Sequence, residues 1–321
     1  MTTQTNIQEM AATRDGFGVG IVEAAQNNPL IYALCADLTE SMRLEKFEKL
    51  FPERFVQTGV AEQNMIGVAA GLALAGKIPF AASFAVFSPG RSWDQIRVSV
   101  AYSNLNVKIV GGHAGLDTGP DGATHQALED IAMMKVLPNM IVIEPCDAQQ
   151  AREATLALAS YQGPAYLRLS RPKYPVLTHN GEFKIGKAET LLEGNDLTLI
   201  SSGSSVHDCL EAAAILRKRG VKVKLINMHT IKPIDKKAII KVANQTKNII
   251  TVEDHQINGG LGSSVAQVIA QELNRSIDPE VKFAMIGVSN FFGESGSKVE
   301  LKKKYKIDSQ SIVSQVISLF R

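Results

Sequence analysis

Apolar residues fall into short continuous runs, separated by longer stretches with helical period. Runs at 30–36 (LIYALCA), 80–84, 107–110, 140–143 and 165–169 read as strands. A short unbroken apolar run suits a strand buried on both faces. Residues 62–75, 93–102 and 148–159 read as helices between them. This alternation predicts a parallel sheet covered on both sides. Residues 171–187 hold two prolines, two glycines and no sustained period, and so predict a linker. The alternation then restarts, with strands at 197–200, 221–226, 248–252 and 281–286 and helices at 206–219, 235–243 and 263–273. Gly220 stands where the helix 206–219 would close in the left-handed region. The expected class is α/β, with two consecutive α/β domains at 1–175 and 188–321 joined by 176–187. The first carries a parallel sheet and the second a mixed, mostly parallel one.

Composition narrows the setting. Of 321 residues, 45% are hydrophobic and 21% charged, which is globular and argues against disorder. The net charge of +2 gives no drive toward nucleic acid or an anionic membrane. Apolar runs break well before the ~18 residues a bilayer span needs. The stretch MTTQTNIQEMAATRD has no basic and then apolar region of a secretory signal, so a cytoplasmic setting is expected. Cys35, Cys146 and Cys209 are scattered, without CxxC spacing, against a disulfide framework or a zinc site.

Ligands of open α/β sheets sit at the carboxyl ends of strands, so polar groups there are the candidates. Asp37, Thr39 and Ser41 follow the run 30–36 and suit a turn or cap as well as a ligand. Glu62 falls in the first turn of a strongly apolar helix. There a carboxylate can simply answer the helix dipole. A carboxyl in an apolar setting can also share a proton with a bound heterocycle. Phe84 and Phe87, three apart, suit a core or a flat wall for a stacked ring. The glycine-rich stretch 111–125 holds His113, Asp117, Asp121 and His125 within thirteen positions. A metal site is conceivable, but proton relay and hydroxyl recognition fit the spacing better. No GxGxxG follows the first strand, and GxxxxGK[ST] and GxSxG are both missing; NGGLG at 258–262 reads as tight entry to a helix.

In this order the pieces resemble the C-terminal half of transketolases, thiamine-diphosphate enzymes that move two-carbon ketol units. The resemblance covers essentially the whole chain, including VEDHQINGGLG at 252–262. GVAEQNMIG around Glu62 marks the wider superfamily, and HAGLDTGPDGATHQ at 113–126 is more specific to transketolases. The resemblance implies that Glu62 hydrogen-bonds N1′ of the aminopyrimidine while Phe84 and Phe87 pack on its ring, with Asp37 of the ADLT motif nearby. It implies that His125 and Asp121 bind the donor's hydroxyls, with His125 also catalytic. Arg14, Ser41, His113 and Arg171 stand where the family holds the sugar phosphate; a guanidinium fork matches phosphate oxygens. One departure is a missing third aromatic: Gly90 occupies its step, with Arg91 and Trp93 as possible substitutes.

The family's N-terminal half binds the diphosphate through a metal, using a GDG motif. Asp15-Gly16 and Asp121-Gly122 both lack the preceding glycine. The resemblance therefore implies a split enzyme. A separate N-terminal transketolase subunit would supply the diphosphate site with Mg2+ or Ca2+, and this chain no metal ligand. The expected assembly is a heterotetramer, two of each chain, acting on sugar phosphates of the pentose phosphate pathway. The C-terminal domain would contribute dimer contacts rather than catalysis. A branched or sulfonated sugar would use the same scaffold. Rival readings are the β subunit of a 2-oxo-acid dehydrogenase E1 component, deoxyxylulose phosphate synthase, and a non-catalytic scaffold. Glu62 together with the two loop histidines speaks for chemistry.

Overall fold

A computed structural model describes residues 9–178, 183–272 and 281–319. The first half runs β1 (Met10–Ala12), α1 (Thr13–Asn27), β2 (Ile31–Cys35), α2 (Glu45–Leu50), β3 (Phe55–Gln57), α3 (Glu62–Leu74) and β4 (Ile78–Phe84). It continues with α4 (Trp93–Gln95), which widens into a π-helix over Ile96–Tyr102. Then come β5 (Lys108–Gly112), α5 (Asp130–Lys135), β6 (Ile141–Ile143), α6 (Ala148–Ser160), β7 (Ala165–Arg168) and β8 (Lys173–Pro175). The second half begins with β9 (Glu189–Leu192), β10 (Leu197–Ser201), α7 (Ser205–Lys218), β11 (Val223–Asn227), β12 (Thr230–Lys232) and α8 (Lys236–Thr246). It ends with β13 (Asn248–Gln256), α9 (Leu261–Glu272), β14 (Lys282–Val288), α10 (Lys298–Lys304) and α11 (Ser309–Leu319).

The fold is α/β, in two consecutive units. The first sheet has the order β12-β6-β7-β5-β4-β2-β3. Its pairs are parallel except β12 on β6. Central β4 is buried at every position, as its unbroken apolar run requires. The second sheet, β14-β13-β10-β11-β9, is parallel except at the β9 edge. Ile131, Val142 and Tyr166 of the first half share one buried cluster with Ile200, Ile226 and Ile231 of the second.

Short elements such as α2, α5, α10 and α11 were not read from the sequence, and four further features depart from it. The helix read at 263–273 starts earlier, at Leu261, and position 273 lies outside the described residues. The wholly parallel first sheet gains an antiparallel edge strand, β12, from the second half. The stretch 171–187 is not all linker, because β8 pairs antiparallel with β1. The largest difference is α1, which the hydrophobic pattern did not predict. Its segment TRDGFGVG is glycine-rich, and each glycine weakens an isolated helix by about 1 kcal/mol. Packing overrides that preference. A Cβ on Gly16 would lie 1.9 Å from the carbonyl oxygen of Ala148, and one on Gly20 2.9 Å from that of Arg152. The glycines thus let the backbone of α1 approach α6.

Gly16→Ala tests this approach. On an exposed helix the change would stabilise. Here the methyl meets backbone that must shift, so stability should fall by about 1–3 kcal/mol, the scale of overpacking. The denaturant midpoint reads it. A midpoint at or above the parent's would show that the two helices do not approach this closely.

Candidate functional site

Parallel strands β2, β4, β5 and β7 end on one edge, and the candidate residues gather there. Glu62 begins α3, following the turn at Gly59 (φ +67°), and is 1% exposed. Its surroundings are not purely apolar, in contrast to the expectation from its helix. Arg91 donates from Nη1 to Glu62 Oε2 at 2.8 Å. The Arg91 side chain is 51% exposed and its guanidinium lies 5.0 Å from the Phe87 ring centroid. Arg91, one residue past Gly90, thus lies against both Glu62 and Phe87.

Phe84 closes β4. A turn in which Phe87 and Ser88 both donate backbone N–H to the Phe84 carbonyl returns Phe87 over Phe84. Their ring centroids are 5.9 Å apart with planes 13° from parallel. On the neighbouring strand, β5 ends where His113 turns into the left-handed region (φ +52°), an uncommon conformation for a side-chain-bearing residue. That turn stacks its imidazole on Phe84, with centroids 3.8 Å apart. His125 meets Phe87 edge-on at 5.3 Å, and its Nδ1 lies 2.9 Å from Thr124 Oγ1.

Charge enters from two further elements. Arg14, at the start of α1, donates to the Ser41 carbonyl at 3.1 Å, and the same nitrogen lies 3.4 Å from His113 Nε2. Ser41 is thus engaged through its backbone. Arg171, just past β7, donates to the Thr118 carbonyl at 2.9 Å and lies 3.4 Å from Asp121 Oδ1. Contacts therefore run from Glu62 through Arg91, Phe87, Phe84 and His113 to Arg14, with His125 alongside. Arg171 and Asp121 form a second pair on the same loop. Asp37 stands apart: it is exposed at the end of β2 (φ +59°) and donates its backbone N–H to Gln57 Oε1. Among the described residues no side-chain contact joins it to the group.

Burial pushes the His113 pKa down to about 3, assisted by the positive charges of Arg14, Arg171 and Arg43. Burial and Arg43 lower Arg14 as well. His113 Nδ1 and Arg14 Nε are buried without a hydrogen-bond partner. Buried polar atoms are seldom left so, and one of these belongs to the guanidinium that the other's ring contacts. They fit an anion rich in oxygens. A buried carboxylate beside a flat aromatic wall fits an aminopyrimidine. Among the described residues no group of three or more His, Cys, Asp or Glu could hold a metal ion, and no helix is long and apolar enough to cross a membrane.

Comparison with known proteins supplies the family. Residues 9–176 match the transketolase pyrimidine-binding domain, and residues 186–312 match the transketolase C-terminal domain. The chain belongs to the transketolase family of transferases, which generally use thiamine diphosphate with a divalent metal. It is 40% identical to the 6-deoxy-6-sulfo-D-fructose transketolase subunit SqwH of a Clostridium species, across 94% of this chain and 92% of that one. It is 37% identical to an apulose-4-phosphate transketolase subunit of Phocaeicola vulgatus, across 97% and 98%. The solved structure of a split gene transketolase, an inactive β4 tetramer, superposes with a TM-score of 0.88 at 42% identity, covering 96% of this chain and 98% of that one.

Sequence reasoning named Arg91 only as a stand-in and missed the residues that hold the loop from behind, Tyr174, Asp254 and Lys302. The stretch VEDH at 252–255 was the one available signal for Asp254.

A neutral His113 gives a direct test. Its ring proton resonances should not move between pH 8 and pH 5, and a midpoint near 6.5 would show an imidazole open to water. The sign for stability follows. Between about pH 6.5 and 3 the unfolded chain takes up a proton that the folded chain refuses, so stability falls as pH drops through that window. His229 and His255, each brought by burial to about 4, act in the same direction.

Proposed function

We propose that this chain is the C-terminal subunit of a two-chain, thiamine-diphosphate-dependent transketolase. It would hold the aminopyrimidine, while a separate N-terminal subunit holds the diphosphate and its Mg2+ or Ca2+ in a heterotetramer in the cytoplasm. The observation that carries the reading is the continuous contact from buried Glu62 along the Phe87–Phe84 wall to His113 and Arg14. The related split gene transketolase, described as inactive in its β4 form, supports the need for a partner. We place the division between the two domains at 176–187.

When bound, thiamine diphosphate supplies a carbon nucleophile and an electron sink for the transferred two-carbon unit. Glu62 would share a proton with ring nitrogen N1′. Phe84 and Phe87 would hold the flat face of the ring, and Arg91, which now holds Glu62, would have to share that carboxylate with it. Asp37, outside that contact group, would approach the same cofactor from the end of β2. Arg14, held in place by the Ser41 carbonyl, and Arg171, with neutral His113 and Ser41 alongside, would clamp the sugar phosphate far from the reacting carbons. Such remote binding orients those carbons. Asp121 and His125 would read the donor's hydroxyls, and His125 would take the proton from the hydroxyl that becomes the carbonyl of the leaving aldose.

A sugar phosphate of the pentose phosphate pathway is the first substrate reading. The names of the two relatives favour a second, a sulfonated or branched sugar. A sulfonate is also a tetrahedral anion that a guanidinium pair accepts. An apolar acyl chain, as in a 2-oxo-acid dehydrogenase, would offer neither arginine an anion to bind.

In the reconstituted two-chain enzyme, Glu62→Gln should abolish ketol transfer while folding and partner binding persist; near-normal turnover would sink the cofactor role. Arg171→Ala should raise KM about tenfold or more for phosphorylated sugars, the scale of a lost charge-assisted hydrogen bond. It should leave unphosphorylated sugars little changed. Equal effects on both would reject the phosphate clamp.

A further inference from the structure

The loop that carries His113, Asp121 and His125 has little regular structure to hold it. A 3₁₀ segment spans Leu116–Asp121, with left-handed glycines at 115, 119 and 122. Ordering such a loop is entropically costly, so its shape depends on what grips it. The grip comes largely from the second domain. Asp254, on β13, accepts from the backbone N–H of Leu116 at 2.9 Å and of Asp117 at 3.2 Å, one with each carboxylate oxygen. The fit excludes any side chain between them: a Cβ on Gly115 would lie 2.2 Å from Asp254 Oδ2.

A second hold lies just behind. The Tyr174 hydroxyl donates toward both oxygens of buried Asp117 at 2.9 Å. Lys302, on α10, donates to the Tyr174 oxygen at 2.9 Å and to Asp208 at 2.8 Å, and lies 3.5 Å from Asp117. The far limb of the loop is tied in the same way, since Gln126 Nε2 donates to the carbonyls of Gly119 at 3.1 Å and Glu294 at 2.9 Å. Asp121 and His125 lie between these fixed points.

We propose that Asp254, supported by Lys302, is a positioning residue for donor recognition, so that the second domain sets the geometry of the hydroxyl-binding loop. This rests on the ketol-transfer reading above for its substrate and on the contacts alone for its mechanism. An ionised Asp254 makes two charge-assisted hydrogen bonds, whereas the protonated group has one oxygen weakened as an acceptor. Burial and the Asp117 charge raise Asp254 to about 7, opposed by Lys302 and Arg168, the cations that face it. Asp117 goes the other way: Lys302, Ser204 and Tyr174 outweigh its burial and hold it low. Falling pH therefore loosens the loop through Asp254 first.

Asp254→Asn is the test, because the amide keeps the shape and removes one acceptor and the charge. In this chain alone, hydrogen exchange at the Leu116 and Asp117 amides should speed up about tenfold, while β4 and β5 amides stay as they were. In the two-chain enzyme, KM for the donor should rise about tenfold, and discrimination between donors epimeric at a recognised hydroxyl should shrink. The decline of kcat/KM below pH 7 should flatten relative to the parent. Lys302→Met should speed exchange at the same amides and raise KM, and should move the decline of kcat/KM to higher pH rather than flatten it, because Lys302 opposes the upward shift of Asp254. A purely structural role would instead lower the unfolding midpoint and the active fraction, with KM and donor selectivity unmoved, and would overturn the proposal. Unchanged amide exchange would overturn it too. An inactive parental pair would count against ketol transfer and leave the exchange result to decide the loop.

Discussion

Arg168 is the buried charge on which the two halves close. It is 3% exposed and lies at the end of β7. Its guanidinium donates to Asp130 at 2.8 Å, to Glu144, and to the carbonyls of Ala127 at 3.1 Å and Asp254 at 3.0 Å. A cation this deep is tolerable only when fully paired; stripping its partners from a buried ion typically costs about 3–5 kcal/mol. The partners come from four places: the end of the candidate loop, the start of α5, the end of β6 and the second domain. Glu144 is itself gripped by Ser202 of the second half. Arg168 therefore fixes where the chain leaves β7, and three residues later that chain supplies Arg171.

The site is made by adjacency. Phe84 and His113 stack because parallel β4 and β5 end side by side, with Phe84 level with Gly112. Arg14 reaches them because Gly16, Gly18 and Gly20 let α1 settle onto its neighbours. The same closeness makes His113 neutral, since a buried imidazole between guanidinium groups cannot hold a proton. Neutral, it can accept from Arg14 without repelling it.

Much of this was legible in the sequence, and for physical reasons. The strands were readable because burial on both faces demands continuous apolar runs. The candidate residues were readable as polar groups at strand ends. Arg14 and Arg171 carried no local signal and entered only through the family resemblance. Helix α1 was hidden by glycines whose purpose lies in α6, more than a hundred positions away. Glu62 was read as a carboxyl among apolar neighbours, and no local pattern hints that Arg91 folds back onto it. Lys302 was likewise silent, and Asp254 was marked only as part of VEDH at 252–255, because single charged residues on a strand and a helix look like ordinary surface until the domains meet.

The borrowed edge strand has a consequence for modularity. β12 follows β11 in the second half yet completes the first sheet by pairing with β6. A chain severed at the linker would leave the outer side of β6 with bare amides and carbonyls, an open template for pairing with another molecule. The fragment carrying Glu62 would be prone to self-association, and its counterpart would carry a short strand with nothing to bind. Fusions, truncations and domain exchanges in this protein should therefore treat everything through residue 232 as one inheritance, even though the sequence punctuates far earlier.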